Sequence, residues 1–187
     1  MPPKFKFSKD QIIDKAYEIV SSEGADNLTA RHLGEKLNSS SKVIFGLFNG
    51  MDELKECVIQ KGYSEMAKQL NEALANRNRL SYITCGLVYI GFARNNPNMF
   101  KLLYMRDRSN ESKTFNDESL EGIYQTISKK SNVSLEEAKE AHLKYWFYMH
   151  GIATLVSSSY LSYDEAYIEQ LLKEGYEGII YSIKNRK

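Results

Sequence analysis

Thr29 to Phe48 reads TARHLGEKLNSSSKVIFGLF, and the order of its residues predicts two short helices meeting at a tight corner. Thr29 follows the apolar Leu28 and supplies an N-cap oxygen, and Leu33 and Leu37 then fall four apart on one helical face. Asn38 tolerates the left-handed conformation needed to leave a helix, and Ser40 is placed to cap the next one. In that second helix Ile44, Leu47 and Phe48 recur at spacings of three and four and define a buried face. The opposite face carries Ser40, Ser41, Lys42, Phe45 and Gly46. It is small, hydroxylated and singly basic, as suits a helix lying in a DNA major groove with its first turn near phosphate. Any two short packed helices share the apolar spacing, so the pattern by itself leaves a generic core open as well.

Working outward, Ser8 with Gln11 three residues on forms a capping box. Ile12, Ile13, Ala16, Ile19 and Val20 then mark the buried stripe of a helix that Gly24 ends. Before it lies a basic arm with Phe5 and Phe7, which either touches DNA backbone or packs back on the first helix. Beyond Phe48, Asn49 and Gly50 make a turn, and Asp52 opens a long helix reaching to about residue 78. Its apolar stripe is Leu54, Val58, Tyr63, Met66, Leu70 and Leu74, and it reads as a rigid connector.

Ile12 to Leu54, through IIDKAYEIVSSEGADNLTARHLGEKL, the corner NSSS and VIFGLFNGMDEL, resembles the N-terminal DNA-binding domain of the TetR family of transcriptional repressors. The resemblance implies that Thr29 and Arg31 lie near phosphate at the start of the second helix, and that Ser40, Ser41, Lys42, Val43 and Phe45 lie on the recognition helix. Three positions depart from the family pattern: Phe45 stands where Tyr is usual, Ser39 where a hydrophobic residue is usual, and Met51 where Lys is usual. Two phosphate-binding groups are thereby missing. The expected division is a helix-turn-helix DNA-binding domain over residues 1–50 and a helical effector-binding and dimerisation domain over 51–187.

The remainder of the chain continues in helical periods. Residues 80–94, with Ile83, Leu87, Val88, Ile90 and Phe92, are apolar nearly all round and read as a central helix. Asn96 caps another with Pro97 at its first position and Phe100, Leu103 and Tyr104 inward. Residues 106–116 are polar and aperiodic, a loop, and Leu120, Ile123, Tyr124 and Ile127 mark a helix over about 117–130. Ser134 with Glu137 is a second capping box, opening a helix to about Tyr160, and Asp164 caps the last helix. No stretch alternates with period two, so the class is all-α, an antiparallel helical bundle following the helix-turn-helix. YWFYMHGIATLV, with Trp146, His150 and Gly151, resembles the Trp/His-Gly segment of some TetR-family C-terminal domains, and NNPNMFKLLYM resembles the corresponding earlier helix pair.

Charge and chemistry narrow the function. The net charge is +1, and residues 1–50 carry seven cations against six carboxylates. Because phosphate neutralisation dominates DNA affinity, binding then depends on where Lys4, Lys6, Lys9, Arg31 and Lys42 point, and on two such domains acting together. Cys57 and Cys85 lack zinc spacing and read as buried thiols of a reducing cytoplasm. The N-terminus has no apolar signal core and no apolar run approaches the roughly 20 residues of a membrane span, which predicts a cytoplasmic protein. Cys85 and His150 as a thiol and base are outweighed by a buried thiol and a hydrogen-bonded histidine, so no catalytic residue, metal ligand or cofactor is assigned.

Tyr89, Phe92, Phe100, Tyr104, Trp146 and Met149 suit the lining of an apolar effector cavity, though ordinary core packing gives the same stripe. Gly175 and Gly178 in the last helix fit close approach of another helix, in line with family dimers that pair their last two helices. The expectation is a homodimeric regulator that binds double-stranded DNA, a repressor released from a palindromic operator by a small-molecule effector. A helical ligand-binding or interaction protein with weakened DNA binding is the alternative that Phe45, Met51 and the weak basicity keep in play.

Overall fold

A computed structural model describes residues 6–75, 81–109 and 120–186. Among these the helices are α1 (Lys9–Glu23), a 3-10 turn (Ala25–Asn27), α2 (Ala30–Lys36), α3 (Lys42–Phe45), α4 (Met51–Ala75), α5 (Ser81–Asn95), α6 (Pro97–Tyr104), α7 (Glu121–Ser131), α8 (Leu135–Ser157) and α9 (Glu165–Lys184). No strand occurs among the described residues, so the fold is all-α as expected. None of the described helices is long and apolar enough to cross a membrane. The expected end of the connector helix at residue 78, and most of the loop over 106–116, lie outside the described residues.

The chain forms two compact units, residues 1–72 with 95–106, and residues 73–94 with 107–187. The first unit therefore holds more than the 1–50 stretch: most of α4, and α6, pack with the N-terminal helices. Its core contains Ile12, Ala16, Val20, Leu33, Ile44, Leu54, Val58, Met99, Phe100 and Leu103, all fully buried. α1 packs against α2 and α6. The Asn98 amide donates to the Ser21 carbonyl at 3.2 Å, and the Tyr63 hydroxyl to the Leu103 carbonyl at 3.1 Å.

Local signals account for how α1 begins and ends. The Ser8 hydroxyl accepts from the Gln11 N–H, and the Gln11 side chain accepts from the Ser8 N–H, which satisfies two otherwise orphaned donors. At the other end Gly24 has φ 92° and returns its N–H to the Val20 carbonyl, a conformation that suits a residue without Cβ. Asn96 sits at the N-cap of α6 with Pro97 behind it, but its side chain makes no capping bond.

In the second unit α8 packs against both α7 and α9. Glu140, near the start of α8, pairs with Arg186 just after α9, while a Cβ on Gly175 of α9 would fall 2.5 Å from the Tyr148 ring of α8. The two helices thus run antiparallel. Ile127, Ala138, Ala141 and Ile183 form one buried cluster, with Val133, Ile179 and Ile180 packed on it. Tyr82 stacks on Tyr176 at 3.7 Å, Tyr145 meets both rings edge-on, and the Tyr176 hydroxyl bonds Ser131 at 3.0 Å. Both predicted caps are present: Ser134 and Glu137 bond reciprocally, and Asp164 accepts from the Tyr167 N–H at 2.7 Å. α8 ends at Ser157 rather than near Tyr160, where Ser159 turns left-handed with φ 59°. Cys57 and Cys85 are free and only half-buried, where full burial was expected, and burial pushes the Cys85 thiol up.

Candidate nucleic-acid interface

α2 opens as its sequence dictates, with the Thr29 hydroxyl accepting from the His32 N–H at 3.2 Å. Asn38 takes up the left-handed conformation at φ 48°, and its N–H donates to Glu35 O while that of Ser39 donates to Gly34 O. The corner is held by close approach of backbone to backbone. A Cβ on Gly34 would lie 3.0 Å from Ser41 N and 3.1 Å from Ser39 O, so a bulky side chain here would force α3 away from α2.

α3 is shorter than expected and is not capped by Ser40. The regular helix covers Lys42–Phe45, its N-cap is Ser41, and no side-chain cap bond exists. The physical reason is that the turn tightens: Val43 N–H donates to Ser40 O and Ile44 N–H to Ser41 O, leaving those donors already satisfied. Helical winding continues past the regular turn, with the Leu47 and Phe48 N–H groups both reaching Ile44 O.

That winding sorts the predicted residues. Ile44 and Phe48 are buried, Leu47 is half-buried, and Lys42, Phe45, Gly46 and Asn49 are exposed along one face. Thr29, Arg31 and Ser40 are also exposed, while Ser41 and Val43 are half-buried. Phe45 is 55 % exposed.

Carboxylates engage most cations nearby. Arg31 pairs with Glu35 at 3.0 Å, Lys36 and His32 both reach Glu23 at 2.8 Å, and Lys9 meets Glu53 at 3.0 Å. Lys36 first, and then His32, hold the Glu23 carboxyl below its usual range. Among the described residues Lys42 has no ion-pair partner. The Arg31 side chain is 90 % exposed, and such pairs are worth little against water, so its guanidinium is free to exchange Glu35 for phosphate.

Three features were missed by reading the sequence. Gly34 sets the corner. Lys6 places its ammonium 3.2 Å from the Asn38 carbonyl, so the described end of the basic arm reaches the corner rather than lying along α1 alone. Glu53 accepts from the Asn49 N–H at 2.7 Å, from the Asn49 amide at 2.8 Å and from Lys9, and the Asn49 backbone bond leads in holding its carboxyl low. Asn49 and Glu53 stand four apart, a legible spacing, whereas the Gly34 and Lys6 contacts carry no local signature.

The expected effector residues divide between the two units. In the first, Phe100 is fully buried and lies 5.1 Å from the half-buried Tyr104, whose hydroxyl reaches Met66 Sδ at 3.0 Å. In the second, Phe92 and Met149 are buried, and the half-buried Trp146 stacks on His150 at 5.2 Å. The Tyr89 hydroxyl meets His150 Nδ1 at 2.9 Å, and burial lowers the His150 pKa.

An all-α chain in which α2, a left-handed Asn38 and α3 form a corner with an exposed outer face has the build of a helix-turn-helix protein. The chain is 19% identical over 189 residues to an uncharacterized HTH-type transcriptional regulator, YobS, of Bacillus subtilis (strain 168), an alignment covering 99% of each. The likeness thus extends well past the corner. No family model matches the chain.

Proposed function

We propose that this protein is a homodimeric, TetR-type regulator of transcription that binds a palindromic DNA site through α2 and α3 and leaves it when a small apolar effector binds. The observation that carries the reading is the exposed face of Ser40, Lys42, Phe45 and Gly46 on a turn anchored by Ile44 and Phe48, with Lys42 free of carboxylate partners among the described residues. Whole-length similarity to a transcriptional regulator supports it. Phosphate affinity would rest on Lys42, Arg31 and the hydroxyls of Thr29 and Ser40. Met51 adds nothing, and Asp52 and Glu53 make the first turn of α4 acidic.

Dimerisation is assigned to the outer faces of α8 and α9. Phe147 is 56 % and Tyr181 70 % exposed, Leu155 joins them, and Gly151 and Gly178 are exposed on the same two helices. Such a face suits pairing with a second copy across a two-fold axis. Aromatic groups with polar handles, Tyr104 and the Tyr89–His150 pair, suit effectors that are apolar with one hydrogen-bonding group. Effector binding then weakens DNA binding, and DNA weakens effector binding by the same factor.

The test is enrichment from a random duplex pool. A two-fold consensus with half-sites about 34–36 Å apart, or a multiple of that, supports the reading. A dimer that enriches no duplex favours a helical ligand-binding or interaction protein, the reading to which Phe45, Met51 and the weak basicity point.

A further inference from the structure

We propose that Phe45 reads thymine C5-methyl groups, so that each half-site is specified chiefly by a thymine at a fixed position and only weakly by hydrogen-bonding pattern. The inference rests on the DNA-binding reading above and adds what that face recognises.

Lys42, Phe45, Gly46 and Asn49 follow one another at helical spacing and are all exposed. Among the described residues of its unit Phe45 is the most exposed large apolar side chain, at 55 % against 48 % for Met105. Its neighbour Gly46 has no side chain to hold a surface away from the ring. A phenyl ring neither donates nor accepts, so it cannot read the base-edge donors and acceptors that distinguish most pairs. The thymine methyl is the apolar group of the major groove.

Of the other residues on the face, Lys42 and the Ser40 and Ser41 hydroxyls are the groups able to hydrogen-bond base edges without first leaving a carboxylate. Bidentate readout of guanine uses Arg or Lys, and that of adenine Asn or Gln. The amide in the row belongs to Asn49, whose Nδ2 donates to Glu53 Oε2 at 2.8 Å while its backbone N–H is held by the same carboxylate. Arg31 lies on α2, paired with Glu35. Lys42, one turn before Phe45 and without a carboxylate partner among the described residues, is assigned to the phosphate backbone, a role that a uniform loss of affinity in Lys42→Ala separates from a guanine contact. Half-buried Val43 extends the apolar surface.

Replacing each thymine of the enriched consensus by deoxyuridine deletes the methyl and leaves base pairing and groove hydrogen bonding unchanged. One such replacement in a single half-site is expected to weaken wild-type binding about fourfold, and one in each half-site about fifteenfold. Phe45→Ala should bind thymine and deoxyuridine duplexes alike, and Phe45→Leu should retain part of the discrimination. Because Phe45 is exposed, both variants should keep the wild-type circular dichroism and oligomeric state. Equal wild-type affinity for thymine and deoxyuridine at every position, or undiminished discrimination in Phe45→Ala, overturns the inference while DNA binding stands. Failure to enrich any duplex removes the DNA-binding reading itself, and this inference with it.

Discussion

The α2–α3 corner and the α8–α9 pair are stabilised in opposite ways. α8 runs 23 residues, opens with the reciprocal Ser134–Glu137 box and is buried along a stripe that includes Ala138, Ala141, Tyr145, Met149 and Ala153. α3 is one regular turn of four residues with no side-chain cap, located by the Gly34 approach, by buried Ile44 and Phe48, and by Lys6 on the Asn38 carbonyl. A single turn cannot sustain itself in water, because helix nucleation is unfavourable and most helical stability comes from packing. The lesson is that the reading surface depends on contacts distant in sequence, whereas the bundle depends on local caps and continuous apolar stripes.

The largest expected effect comes from filling the corner. Gly34→Val places a branched side chain against Ser39 O and Ser41 N and should cost about 1–3 kcal/mol in the first unit. DNA binding should be lost in a shift assay while the oligomeric state holds. Full DNA affinity in this variant would break the claim that close approach sets α3.

Next come the two glycines of α9, which test whether the bundle face is closed within the chain. Gly175→Ala would set its Cβ 2.5 Å from the Tyr148 ring and should destabilise by about 1–3 kcal/mol in denaturant unfolding. The helix that Gly175 meets is α8 of its own chain. Nothing lies within 4 Å of a Cβ on Gly178, so Gly178→Ala should add up to about 1 kcal/mol to the isolated chain through helix propensity. On the proposed dimer it should raise the dissociation constant in sedimentation. A tighter dimer would place the interface elsewhere.

Caps sharpen the contrast further. Ser134→Ala removes the hydroxyl that accepts from the Glu137 N–H, leaving the backbone N–H bond to the Glu137 carboxylate, and should cost about 1 kcal/mol, whereas Ser40→Ala, whose hydroxyl caps nothing, should stay within about 0.5 kcal/mol. An equal loss from both by thermal unfolding would contradict the description of α3.

The smallest effect is the pH dependence that two histidines give the bundle. Burial lowers the folded-state pKa of His142 and of His150 below the ordinary value near 6.5. The unfolded chain then binds protons first, so stability should be level above that value and fall as pH drops below it. Glu140, lowered to about 2 by Arg186 and then Lys144, keeps its contribution until pH falls from the usual glutamate range toward that value. His142→Leu should flatten the first decline. A stability that rises on acidification from pH 7 to 5.5 would reverse the sign.

Sequence reading reached what short-range chemistry determines. Ser8 with Gln11, Ser134 with Glu137, Thr29 with His32 and Asp164 with Tyr167 are three apart, so each cap is visible in a window of four residues, and each is present. Asn38 was legible for the same reason, because few residues other than glycine accept φ 48°. Ser40 misled because serine before an apolar turn suits an N-cap, while the tightened turn had already used the donors. The Gly34 approach and the Lys6 contact across 32 residues leave no periodic trace. The aromatic set was legible as apolar and inward, yet its pairings, Phe100 with Tyr104 and Trp146 with His150, needed tertiary structure.

The most direct measurement of the central claim is the salt dependence of binding to the enriched duplex, for wild type and Lys42→Ala. The account predicts that Lys42→Ala weakens binding to all sequences similarly and lowers the salt slope by about one per contact, hence about two for a dimer. Affinity and slope both unchanged by Lys42→Ala would show that the face built on α3 is not where this protein meets DNA.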